Sequence, residues 1–438
     1  MKAEYYKILK EYVWFKSIST EQTKENKLEI KKCAYWLSEI FKENNFDVEI
    51  IENYWNPIIK ASFCLDKNYE NWIIYWHYDI QSANENDWRK WDPFDLLISK
   101  DKIIGRGVVD NKWQTLIHMI NIFELIKEWK LNYNITFIIE WEEEIWSNWI
   151  SKFIKEKWNN IKADFILISD WNIIKNLPVI ESWFRWWFSA EIRFKTANTD
   201  LHTGIYWWVI PNAIEELNKL LSKLYDTNNK ITIPYFYYEV DDLSTTQKSL
   251  NKKIPFDKNQ LEENFEIKKL KLNDIDFYSK TWLEPCIEIT WISWWKTNYF
   301  NNSIPNKAKT NLNFRLVSKQ KCDTIKSLFE ERVKNNVPNY VNYELSFDKC
   351  NKAIKLNNEN IFYEKAKTIL EKVYKNKLIN LYSWWSLPII GVFQEHITNN
   401  ILSIPLANQD CNMHWVNENF NTDLIDKWFE FSYNFFKK

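Results

Sequence analysis

Glycine is almost missing from this chain: its 438 residues include only 4. A chain of ordinary composition, at about 7% glycine, would carry roughly 30. Glycine normally serves the left-handed backbone positions of tight turns, so other residues must stand in those places. Cysteine is also sparse. Cys33, Cys64, Cys286, Cys322, Cys350 and Cys411 lie far apart with no C-x-x-C spacing. That excludes a disulfide-stapled or structural-zinc scaffold and predicts free thiols in a reducing compartment. Neither sign of charge dominates, with 58 Lys and Arg against 59 Asp and Glu. The footprint of a nucleic-acid or anionic-membrane partner is therefore lacking. No apolar run reaches membrane-spanning length, and MKAEYYKILKEYVWFKSIST has no uninterrupted apolar core of a signal peptide. The expectation is a soluble, cytoplasmic protein with no membrane partner.

Tryptophan is present in excess: 27 residues, which with the 4 glycines make up a normal glycine quota. Trp-Trp pairs fall at 186–187, 207–208, 294–295 and 384–385, often beside Ser, Thr or Pro. Such places call for permissive dihedrals rather than large rings. The reading is that UGA encodes glycine in the source organism, so that many tryptophans of this sequence stand for glycine. Positions 76, 113, 141, 146, 207, 208, 384, 385 and 415 are the candidates, with Trp36 and Trp88 read as true tryptophan. The alternative is a genuinely Trp-rich, non-catalytic protein that uses aromatic platforms to bind glycans.

With 45% hydrophobic residues the chain can bury a full core. Helical spacing covers 2–13 and 22–43. Short apolar runs (VEII, IIKASFC, NWIIY, NITFIIE, ADFILIS) then alternate with helical stretches such as 110–127, which predicts an α/β fold with a largely parallel sheet. From about 183 the pattern changes. FSAEIRF, a helix over 211–225, AKTNLNFRLV, a helix over 319–335 and YVNYELSF predict an inserted β-α-β-α-β domain of ferredoxin-like, α+β type. The expected division is 1–182 and 353–438 for the catalytic domain, and 183–352 for the insertion. Within the insertion, residues 226–283 read as a polar elaboration of open role.

Metal-type ligands come from five segments. His77 and Asp79 stand at the end of an apolar strand. Residues two apart share a side of a strand, so Asp79 can orient the His77 ring only if the strand bends there. Asp110 follows Gly105-Arg106-Gly107, either as a ligand or as a helix cap. Glu142-Glu143-Glu144 follow NITFIIE, and three adjacent carboxylates repel unless a cation neutralises them. Asp170 follows ADFILIS, and His414 lies in a C-terminal loop. Strand C-terminal ends of an α/β sheet are where ligands bind. Histidine with carboxylate and no thiolate suits zinc or another divalent ion in an open, catalytic site.

With glycine restored for tryptophan, the run Tyr-Gly-His77-Tyr-Asp79-Ile-Gln leads a series of motifs. Gly105-Arg106-Gly107-x-x-Asp110-Asn-Lys-Gly, Glu143-Glu144-Ile-Gly-Ser147, Asp200-Leu201-His202-Thr-Gly204, Gly-Gly-Ser386-Leu-Pro388 and His414-Gly-x-Asn417-Glu418 follow in order. The whole resembles the co-catalytic zinc peptidase family of glutamate carboxypeptidase, aminoacylase and carnosinase-type dipeptidases, the dipeptidase branch above all. The resemblance implies two divalent ions, Zn2+ first with Mn2+ or Co2+ as alternatives. It implies His77 and Asp170 on one ion, Glu144 and His414 on the other, and Asp110 bridging. Glu143 would be the proton shuttle and Asp79 the partner of His77. His202, reaching the site of a second subunit, Arg315 and Ser386 would contact a peptide substrate with a free carboxylate. The implied assembly is a homodimer through the insertion. An N-acyl-amino-acid amidohydrolase or carboxypeptidase of the same family is the sibling reading. Ser383 departs from the pattern, standing where some of these dipeptidases carry Glu.

Overall fold

The structure, a computed structural model, describes the chain apart from residues 1, 84–87, 89–90, 158, 160, 241–248, 250, 265, 272–276, 294–301, 318, 351–353 and 384–386. It divides into two units, one of Met1–Trp183, Lys355–Leu381 and Leu387–Lys438, the other of Phe184–Ile354 with Tyr382–Ser386.

The first unit is built on a nine-stranded sheet. Its centre is four mutually parallel strands: Asn134–Glu140, Asn71–His77, Phe165–Ile168 and Ile401–Ser403. They read NITFIIE, NWIIYWH, FILI and ILS, the near-continuous apolar runs of strands covered on both faces. The flanks are antiparallel, with Ile58–Phe63 on Asn134–Glu140 and Asp47–Ile51 beyond it, and Val179–Phe184 on Ile401–Ser403. Parallel pairing is thus narrower than the apolar runs predicted. The outermost strand, DVEII, is half solvated, and antiparallel strands tolerate one wet face. Helices Lys24–Glu43 and Trp113–Lys127 meet the sheet where Phe41 packs on Phe123 and Phe137. Helices Ile361–Tyr374 and Asp423–Phe436 do so through Phe362 and Phe435 on Phe165. Each such buried ring contributes about 1.5–3 kcal/mol relative to exposure. Among the described residues, no helix is long and apolar enough to cross a membrane.

The second unit is a four-stranded antiparallel sheet in the order Cys286–Ser293, Lys307–Arg315, Trp187–Lys195, Asn342–Phe347. Helices Ala213–Ser222 and Cys322–Asn336 cover one face, burying Leu217, Leu220, Ile325 and Phe329 against Phe188, Ile192, Leu312 and Phe314. The sequence pattern missed strand Cys286–Ser293. Its alternation is broken by a register shift between Ile289 and Trp291, which erases the period-two signal. The elaboration at 226–283 includes short helices Lys258–Asn264 and Phe277–Leu283. One expectation fails outright: Cys322 and Cys350 are disulfide-bonded, with Cα atoms 6.4 Å apart. Cys322 opens a helix, and Cys350 follows the strand that returns from it; folding brings together what the spacing of 28 residues hides. Cys33, Cys64, Cys286 and Cys411 are free.

Candidate metal centre

Strand Asn71–His77 stops at His77, and the chain bends. The bend puts the Asp79 carbonyl oxygen 3.1 Å, and Asp79 Oδ1 3.3 Å, from His77 Nδ1. The other ring nitrogen, Nε2, lies 3.1 Å from Asp110 Oδ1 and 3.5 Å from Asp170 Oδ2. His414 Nε2 lies 2.7 Å from Asp110 Oδ2 and 3.3 Å from Glu144 Oε2. Asp110 therefore turns one oxygen to each histidine. In each of the two triads, His77–Asp110–Asp170 and Asp110–Glu144–His414, the ligand-type atoms lie within 4.8 Å of one another.

The parallel sheet explains most of this gathering. Asp170 follows strand Phe165–Ile168, and Glu143 and Glu144 follow strand Asn134–Glu140. These two strands flank the one that ends at His77, so their C-terminal ends converge. Asp79 ties the group together. Its carboxylate accepts from Ser19 Oγ at 2.5 Å and from the backbone N–H groups of Glu143 and Glu144 at 3.2 Å each. Gln81 Nε2 donates to Glu144 Oε2 at 2.7 Å. Glu142 stays apart from this group: it accepts from the N–H groups of Trp149 and Ile150, at the start of helix Asn148–Lys157. The expected triple repulsion is a pair plus a helix-start acceptor. Asp110, in turn, is no helix cap. It sits in an irregular turn over Val108–Lys112, with φ −117° and ψ 91°, before the helix that starts at Trp113.

Burial sets the electrostatics. It raises the carboxyl groups of Glu143 and Asp170, and pushes Glu144 up to about 7 with help from Asp110. Burial opposes the charged form of Asp110 too, but His414 and His77 hold it well below the carboxylate range. Burial likewise disfavours charge on both histidines, yet their carboxylate neighbours win and raise them, His414 to about 11. His77 Nε2 and Glu144 Oε1 are buried without a hydrogen-bond partner. Four carboxylates around two imidazoles with orphaned buried ligand atoms form a donor set that fits divalent cations.

His202 and Arg315 belong to the second unit. His202, in the short strand Leu201–His202, is exposed, and its Nδ1 accepts from Gly204 N–H at 3.1 Å. Arg315 closes strand Lys307–Arg315 with its guanidinium 5.3 Å from the Trp187 ring centroid. Ser386 lies outside the described residues. His118, on helix Trp113–Lys127, lies outside the acidic cluster. It is buried between Ser432 Oγ at 2.9 Å and Ser169 Oγ at 2.8 Å, and desolvation lowers it to about 3. Sequence reasoning gave Glu418 no role, yet its buried carboxylate reaches the turn that carries Asp110. Only the His-x-x-Asn-Glu run hinted at it.

Residues 189–341 match the family model of a peptidase dimerisation domain. Similarity extends well beyond that unit. A Cys-Gly metallodipeptidase of Schizosaccharomyces pombe is 26% identical over 390 residues, covering 84% of this chain and 79% of that protein. The chain is a homologue of metallodipeptidases. This peptidase homologue is also 27% identical over 335 residues, 73% of its length, to a probable di- and tripeptidase of Saccharomyces cerevisiae; the match spans 37% of that relative. The crystal structure of human carnosine dipeptidase 1 superposes with a TM-score of 0.82 at 22% identity, covering 99% of this chain and 95% of that one. The shared fold is an α/β unit interrupted by an inserted α+β unit, within which the family match falls.

Proposed function

We propose that the chain is a dinuclear, metal-dependent dipeptidase acting on dipeptides or short peptides with a free carboxylate. The observation that carries this reading is Asp110, which presents one carboxylate oxygen to each of two histidines. His77 and Asp170 would hold one ion, Glu144 and His414 the other, and Asp110 both, with Zn2+ the first choice. Ions so held polarise an amide carbonyl and acidify water. Glu143, raised by burial, is suited to take a proton from the attacking water. The hydroxyl adds to the carbonyl carbon, the C–N bond breaks, and Glu143 returns the proton to the leaving amine. Asp79 orients His77, while Arg315 and Ser386 are assigned to the substrate carboxylate. The test is a panel of dipeptides and N-acyl-amino acids, with and without chelator. Dipeptide hydrolysis that stops on chelation and returns with Zn2+ or Mn2+ is expected; hydrolysis that survives complete metal removal would overturn the reading.

Dimerisation through the second unit is part of the same proposal, supported by the family match over 189–341 and by the exposure of His202. His202 is assigned to the partner subunit's site, where it would steady the oxyanion. Mixing inactive His202→Ala and Glu143→Ala subunits should restore activity. Mixed dimers, verified by mass, that stay inactive would exclude the role in trans.

Glycine recoding is the reading proposed for the tryptophan excess. Five tryptophans, at 55, 129, 146, 171 and 208, hold φ between 57° and 88°, a region that favours glycine. Trp76, Trp113 and Trp141 are nevertheless packed in the core. Peptide mass spectrometry of protein from its source decides the matter, glycine at 146 and 208 being the expected result.

A further inference from the structure

Two segments more than 300 residues apart meet at the metal centre: 105–110, which ends on Asp110, and 414–419, which begins on His414. Their union runs through Glu418, which is 1% exposed. Its Oε1 accepts from Val109 N–H at 2.8 Å and Asp110 N–H at 3.1 Å. Its Oε2 accepts from Gly107 N–H at 3.0 Å and Arg106 Nη1 at 2.7 Å. The Glu418 carbonyl oxygen takes Gly105 N–H at 3.0 Å. Arg106 closes the loop from the other side, with Nη2 3.4 Å from the His414 carbonyl and 3.3 Å from that of Trp415.

Resting on the dinuclear reading above, we propose that Glu418 and Arg106 are positioning residues that set the bridging carboxylate of Asp110 against His414 before a metal arrives. A carboxylate has room for about four donors, and Glu418 fills them with the N–H groups of Gly107, Val109 and Asp110 and one guanidinium. The backbone on which Asp110 rides is thereby fixed in a turn that forms no regular helix. The same guanidinium grips the backbone of His414. Neither residue needs to touch substrate: each acts through the ligand it holds. A neutral amide at 418 would keep one acceptor oxygen but aim N–H donors at the N–H groups and the guanidinium, leaving them buried and unpaired.

The experiment is metal titration of the metal-free protein, by equilibrium dialysis against Zn2+ and Mn2+, for the parent and for Glu418→Gln, Glu418→Asp and Arg106→Lys. Residues that orient ligands typically cost about 10–100-fold in metal affinity when removed. A loss of that size is expected for Glu418→Gln, with the activity deficit narrowing as metal is raised. Glu418→Asp keeps the charge at shorter reach and should recover part of the affinity. Arg106→Lys keeps the charge but loses the grip on residue 414, and should weaken binding less than Glu418→Gln. It also serves as the informative variant if Glu418→Gln does not fold. Far-UV circular dichroism of each metal-free variant separates unfolding from mispositioning. Folded variants that bind two ions with parental affinity would overturn the proposal while leaving the dipeptidase reading intact. A parent that binds no metal at all would instead sink the dinuclear reading itself.

Discussion

The two histidines of the acidic cluster are held in opposite ways. His77 ends a central strand, is fully buried, and meets Asp170 from the neighbouring strand. His414 sits on a loop, has about a third of its side chain exposed (32%) and meets Asp110, itself in an irregular turn. In the first half the sheet does the positioning: His77 is the last paired residue of its strand, and Asp170 lies two residues beyond the end of the next. In the second, side chains must do what the backbone ladder cannot. The lesson is that one bridging carboxylate can join a rigid half-site to a half-site assembled from loops.

The largest effect should fall on turnover, and in neither half alone. Replacing Glu143 with Ala should lower kcat by about 10²–10⁴ while two ions stay bound, as measured by elemental analysis beside kinetics. Metal loss with normal turnover per bound ion would mean that Glu143 and Glu144 have exchanged roles. Next comes metal content. Asp110→Ala should empty both halves. Asp170→Asn should weaken only the His77 half and Glu144→Gln only the His414 half, so each leaves one ion bound tightly. Equal losses from these two variants would break the comparison.

A third effect concerns pH and the metal-free protein. Burial raises Glu140 to about 8 and Glu142 and Glu144 to about 7, from an ordinary value of 4.5. Each therefore binds its proton more tightly folded than unfolded, and the stability it contributes is lost as pH rises from about 4.5 through 7–8. His118, lowered to about 3, acts the other way, costing stability as pH falls below about 6.5. The melting temperature of the metal-free protein should thus fall between pH 6.5 and 8.5, and bound metal should shrink that fall by compensating Glu144. A flat profile would contradict the burial of these carboxyls. The smallest effect belongs to Gly107, at φ 71°, where a Cβ would run into Ile80 Cγ2. Gly107→Ala should cost about 1–3 kcal/mol in stability, read from denaturant unfolding, and should loosen the His414 half more than the His77 half.

How far these features were legible follows from the same contrast. His77, Asp170 and the Glu143–Glu144 pair were readable because apolar strands announce their own ends, and ligands cluster there. His414 and Asp110 were visible as ligand-type residues outside the strands, but only the run of motifs separated them from a loop histidine and a helix cap. Glu418 gave no signal beyond the His-x-x-Asn-Glu run, because its partners are mostly backbone N–H groups, which every residue type presents equally. Glu142 misled for the converse reason: its residue type matched its neighbours, while its partners are the N–H groups of a helix start. The Cys322–Cys350 bond was hidden because helix Cys322–Asn336 separates its ends in sequence and the following strand returns them.

Strand Ile401–Ser403 lies between Phe165–Ile168 and Val179–Phe184, in the interior of the sheet. During synthesis, the first 180 residues must wait for this late segment, with an open edge on either side of the gap it will fill. An exposed parallel edge is a template for foreign strands, and pairings this distant in sequence form slowly. The nascent chain thus lacks the strand that fills the middle of its sheet until residue 403 has emerged, and the Asp110 turn stays without Glu418 until residue 418 has followed. Growing chains stalled before residue 400 should be the form most in need of a chaperone.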